Sequence, residues 1–149
     1  LRNKADHLCF EQTIKVMNYR KISKVYLVVS GILLTGIGTL TTFNPINVKA
    51  NEGIELAGNP SALNDVRSFG FLLLVFAVLF IISGLKSAML HFGSIASTSL
   101  FLSLGFGRVL SILLDGMPSE GMLGATMVEL VLGSVGLFLL LQNKKNQTL

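Results

Sequence analysis

Between Val25 and Phe43 the chain carries no charged residue. The run is apolar and close to the roughly 20 residues that a membrane-spanning helix needs. Three further apolar runs follow, at about 64–86, 89–114 and 121–142. Together they predict an all-α fold: an integral membrane four-helix bundle, antiparallel and up-down-up-down, with spans about 25–43, 64–86, 89–114 and 121–142. Composition agrees. Charged residues make up 13% of the chain, against about 25% in a soluble domain. A length of 149 residues suits one domain.

The formal charge is +4, and its distribution matters more than its size. Arg2, Lys4, Lys15, Arg20, Lys21 and Lys24 all precede the first apolar run. Such clustering reads as the positive flank of a membrane segment, and it argues against a nucleic-acid partner. In a four-span arrangement this cluster, Lys86, Lys144 and Lys145 share one side. Glu52, Glu55, Asp65, Asp115 and Glu120 share the other, with Lys49 and Arg67 as basic exceptions. The positive-inside rule then predicts cytoplasmic termini.

Residues 1–16 are polar, and Met17 opens MNYRKISK, a typical positive lead into a span. Two readings stand side by side. Met17 is the native start with 1–16 as upstream, non-native sequence, or 1–16 form a cytosolic helix with Phe10, Ile14 and Met17 on one face. Val48-Lys49-Ala50 resembles a signal-peptide cleavage site. The first run is longer than the ~7–15 residues of a signal core, and a polar turn separates it from that site, so it is expected to remain as a span. Cys9 is the single cysteine, so no intrachain disulfide forms. His7 and His91 have no cysteine partners. Neither a metal site nor a cofactor is indicated, and His91 reads as an interfacial residue.

Small residues recur along the spans. Gly31, Thr35, Gly38 and Thr42 form a stripe suited to close packing. Gly70, Ala77 and Gly84 recur every seven residues in the second span, on a stripe that continues through Arg67 and is expected to turn Arg67 inward, the alternative being that Arg67 snorkels to lipid head groups near the helix end. Pro45 is expected to end the first span, leaving 44–65 as the only long loop. Ser61 is the expected cap of the second span. Asp115-Gly116 and Pro118 mark a hairpin in which Gly116 can adopt a positive φ.

Ionisable groups within spans mark candidate sites. Arg108, Ser111 and Asp115 fall on one helix face. Glu129 lies about eight residues into the fourth span, or ~12 Å at 1.5 Å per residue. Arg108 lies at a similar depth across the hairpin. Gly133 and Gly136 share the Glu129 face and favour close helix approach. The expected result is a polar cluster of Arg67, Arg108, Asp115 and Glu129 in the outer leaflet, roofed by the first loop. The Arg108–Glu129 pair has two readings: a purely structural ion pair that fixes helix register, or part of a pocket for an anionic headgroup, a quinone-like molecule or a proton.

The pattern Asn64-x-x-Arg67-x-x-Gly70, Gly107-Arg108, Asp115-Gly116-x-Pro118 and Glu129 resembles a family of small bacterial membrane proteins known as a domain of unknown function. The resemblance covers about residues 20–142 and implies four spans in a bacterial cytoplasmic (inner) membrane. It implies no activity or substrate. In general architecture the chain also resembles the DoxX-like four-helix membrane proteins.

These readings lead to a non-enzymatic bundle that binds a lipid or small ligand, or an accessory subunit. Its partners would be membrane lipids and either further copies of itself or a larger membrane complex. A small oligomeric transporter or proton-coupled exporter is the competing expectation. The small multidrug exporters carry their functional Glu in the first helix, which here has none. An enzyme is not expected: no HExxH motif, Ser/His/Asp set or haem-ligating His pair is present.

Overall fold

In the computed structural model the backbone is described for residues 2–145 and the side chains for 17–143. The face formed by Phe10 and Ile14, and the side chains of Lys144 and Lys145, lie outside the described residues. Among the described residues five helices follow one another: α1 (Arg2–Phe43), α2 (Pro45–Asn51), α3 (Pro60–Leu85), α4 (Leu90–Asp115) and α5 (Glu120–Lys145). Four stretches are long and apolar enough to cross a membrane: Met17–Phe43, Pro60–Leu85, Leu90–Asp115 and Glu120–Asn143. Helices suit this solvent because each satisfies its own backbone N–H and C=O groups.

Many large apolar side chains face outward, among them Val25, Phe43, Leu113, Leu114 and Phe138. In water such a surface would aggregate. Against lipid it is the expected exterior. The interior is a smaller set around Leu27, Leu34, Leu73, Ala77, Phe80 and Phe101. Phe80 packs at a tilt against Phe76 and Phe101, with ring centroids 5.8 and 6.2 Å apart.

The spanning helices form two tight antiparallel pairs. The α1–α3 pair is built on the small-residue stripes. A Cβ added to Gly70 would stand 2.8 Å from the Thr42 backbone nitrogen, and one on Gly31 2.9 Å from the Ala77 carbonyl oxygen. One on Gly84 would stand 2.9 Å from the Lys24 carbonyl oxygen. The same Cβ on Gly70 would stand 3.1 Å from the Gly38 carbonyl oxygen, so the steps of seven up α3, Gly70 to Ala77 to Gly84, meet Gly38, Gly31 and Lys24 at steps of seven down α1. In the α4–α5 pair, Gly133 packs on Leu102, Gly105 on Leu130 and Gly136 on Thr98. Tyr26 of α1 crosses between the pairs. Its hydroxyl donates to the Leu132 carbonyl oxygen at 2.9 Å.

Three local expectations are corrected. The first loop contains a helix, because Pro45 starts α2 as well as following α1. Proline fits a first helical position, where its missing N–H would have no intrahelical partner. The third helix starts at Pro60, and its cap is Asn59 rather than Ser61; the Asn59 side chain accepts from the Ala62 amide at 3.1 Å. Arg67 is exposed, not turned inward. The seam runs out beneath it because α1 ends at Phe43, just past the Thr42 contact with Gly70. Between α4 and α5, Gly116 turns the chain with φ +96.

Candidate functional site

The two helix pairs do not close completely on each other. Between them lies a cavity of 320 Å³ with contributions from every helix. Leu34 and Ile37 of α1, Leu73 of α3 and Phe101 of α4 give it an apolar wall. Arg108 and Glu129 enter from opposite sides of the α4–α5 interface, with Arg108 Nε 2.9 Å from Glu129 Oε2. The approach is an ion pair without an aligned hydrogen bond: Glu129 Oε2 is buried and takes no well-directed donor among the described residues. The guanidinium therefore keeps donors available for another acceptor.

Local sequence explains why both charges reach this depth. Gly105 lies three residues before Arg108 and Gly133 four residues after Glu129. Each meets a leucine of the facing helix, so the α4 and α5 backbones run close together there. Thr126, one turn before Glu129, satisfies its own hydroxyl by donating to the Met122 carbonyl oxygen at 2.8 Å.

The rest of the expected cluster is dispersed. Asp115 is exposed and accepts from Ser111 Oγ, one turn back on its own helix, at 3.0 Å. Arg67 makes no ion pair among the described residues. Their places are taken by two residues of the first interhelical segment. Lys49 at the end of α2 pairs with Glu52 just beyond it, and both line the cavity with Val48. A signal was available. Asn44-Pro45 is a helix start, and the i, i+3 spacing of Lys49 and Glu52 puts them on one face. The six glycines expected to pack helices, Gly31, Gly38, Gly70, Gly84, Gly133 and Gly136, all lie buried against a neighbouring helix.

The sequence profile of a family described as a domain of unknown function, DUF4345, matches residues 22–140. The chain belongs to the DUF4345 family. The match takes in both helix pairs and all the cavity residues, from Leu33 to Leu132. No curated protein and no solved structure matches the chain. The likeness of this DUF4345 chain to DoxX-like proteins therefore rests on helix number and length alone.

Proposed function

We propose that the chain is a non-enzymatic membrane bundle that holds one small amphipathic molecule between its helix pairs, as a binding protein or as an accessory subunit of a larger membrane assembly. The carrying observation is the chemistry of the cavity: an apolar chamber at membrane depth with an incompletely hydrogen-bonded Arg108–Glu129 pair in its wall. Ionisable side chains are costly in hydrocarbon and mark sites. The volume of 320 Å³ lies at the small end of ligand pockets, about 300–1,000 Å³. Apolar walls accept a ring or acyl chain, while Arg108 and Glu129 offer a donor and an acceptor to its polar end. Lys49 and Arg108 are each offset by a carboxylate, so a neutral, hydrogen-bonding head group fits without displacing an ion pair. The basic residues at the end carrying Arg20 and Lys86 favour cytoplasmic termini, in a bacterial cytoplasmic membrane.

Native mass spectrometry of the protein extracted in mild detergent tests this. A retained molecule of constant mass is expected in the wild type. It should be lost from an Arg108→Met/Glu129→Leu variant that keeps its helical circular dichroism. A folded wild type with nothing bound, coupled to proton or drug flux in liposomes, would replace this reading with the small oligomeric transporter.

A further inference from the structure

The other end of the bundle holds a second cavity, of 290 Å³, whose chemistry is opposite to that of the first. It is lined by Arg20 from α1, Ser87 from the α3–α4 turn, His91 and Ser94 from α4, and Asn143 from α5. Ser94 and Leu90 are buried and form its floor, while Arg20 and His91 stand exposed at its rim. The first cavity balances two cations with two carboxylates. Among the described residues the lining of the second holds no carboxylate. Arg20 makes no ion pair among the described residues.

The surrounding hydrogen bonds fix which groups are free to donate. Lys24 Nζ donates to Ser87 Oγ at 2.7 Å, so that oxygen acts as an acceptor and its own proton remains available. Lys24 also brings a second positive charge one helical turn from Arg20. Asn143 Nδ2 donates to Ser23 Oγ at 2.9 Å, and Ser23 donates to the Tyr19 carbonyl oxygen at 2.9 Å. These bonds tie the α5 wall to α1. The Ser94 hydroxyl is committed to the Leu90 carbonyl oxygen at 2.8 Å. What remains around the polar hollow is a guanidinium, one serine hydroxyl and an imidazole, together with the buried Asn143 Oδ1, an acceptor with no partner among the described residues. The position of the hollow matters too. Arg20 follows the first residue of the membrane-length part of α1 by three positions, and His91 is the second residue of α4. Both therefore stand at the level of lipid head groups.

We propose that this second cavity is a phosphate site, with Arg20 as its principal ligand and Ser87 and His91 as further donors. The forked guanidinium matches phosphate oxygens in pairs, which a lysine ammonium does not do. Two sources share this chemistry: the phosphodiester of an anionic phospholipid and free inorganic phosphate. The site does not depend on the reading of the first cavity. Arg108→Met/Glu129→Leu should leave phosphate binding unchanged.

The test uses the full chain, delipidated and then reconstituted with dioleoylphosphatidylglycerol or dioleoylphosphatidylcholine. Bound lipid is counted by native mass spectrometry. A parallel arm follows thermal unfolding in detergent with inorganic phosphate alone. Arg20→Gln should weaken the preferred probe about tenfold or more, and Ser87→Ala, on an exposed turn, should weaken it less while folding normally. Lys21→Gln removes a neighbouring exposed charge outside the cavity and should have little effect. Loss of phosphatidylglycerol retention in Arg20→Gln identifies a lipid source. Loss of phosphate stabilisation without lipid retention identifies the free ion. If wild type and Arg20→Gln bind both probes equally, or if Lys21→Gln does the same damage as Arg20→Gln, the phosphate site does not exist.

Discussion

Arg108 Nε stands 2.9 Å from Glu129 Oε2, across two antiparallel helices joined by a short hairpin. The partners are unequally buried: the Glu129 side chain is 13% exposed and that of Arg108 29%. Removing one partner of a buried pair costs about 3–5 kcal/mol, because the other charge is left uncompensated. Arg108→Ala strands the more deeply buried group and should approach that range. Glu129→Ala should cost less, since an arginine can extend its head group toward water. A double-mutant cycle by thermal unfolding in detergent should give clear non-additivity. Strictly additive effects would show that the two charges are not coupled.

Glycines in this chain divide sharply by position. Gly70, Gly84 and Gly31 leave no room for a side chain, whereas a Cβ on Gly36 or Gly107 would meet nothing within 4 Å. Gly70→Leu and Gly84→Leu should each destabilise the bundle by ~1–3 kcal/mol through overpacking. Gly36→Ala and Gly107→Ala should be neutral, or stabilising by up to ~1 kcal/mol from helix propensity. Melting temperatures of the four variants in one detergent check the contrast. Equal effects across the set would remove the seam.

Two buried hydroxyls should respond in opposite directions. Tyr26 donates to the Leu132 carbonyl oxygen and ties α1 to α5. Tyr26→Phe should cost about 0.5–1.5 kcal/mol. Ser83 Oγ is buried without a hydrogen-bond partner among the described residues. Ser83→Ala removes an unsatisfied group and should leave stability unchanged or raised. Calorimetry distinguishes the two. A destabilised Ser83→Ala would mean that this oxygen has a partner, such as an ordered water.

Sidedness is open to cysteine labelling, since Cys9 can be replaced by serine to give a cysteine-free background. Glu55→Cys and Glu120→Cys lie at the α2 end of the bundle, and Lys86→Cys at the other; all three positions are exposed. A membrane-impermeant maleimide added to intact cells should label the first two and spare the third. The reverse pattern would invert the topology drawn from the basic residues.

The spans were legible because hydrocarbon permits few sequences: long runs without charge, ended by proline, glycine and charge. Seams within each pair were legible for a related reason. Only small residues allow two backbones to meet, and their spacing shows the face. The Arg108–Glu129 contact followed from equal depth on adjacent helices. Arg67 misled because periodicity extends a face beyond the point where the partner helix stops. Asp115 misled because a shared helix face does not decide between a distant arginine and a nearby serine. Lys49 in α2 and Glu52 just beyond it were hidden because seven helical residues are too few for a hydrophobic periodicity, and Pro45 marks a stop while also serving as a start.

The small-residue seams join α1 to α3 and α4 to α5, while the covalent link between the two pairs is the short turn from Lys86 to Met89. During synthesis the α1–α3 pair is complete before any of α4 has been made. The first half can therefore dock in the bilayer while the second is still being translated. The cavity, which needs residues from Leu33 to Leu132, comes into existence only when the second half arrives. A bound molecule stabilises only the assembled form, so its availability can bias the last step of biogenesis, the meeting of two preformed halves.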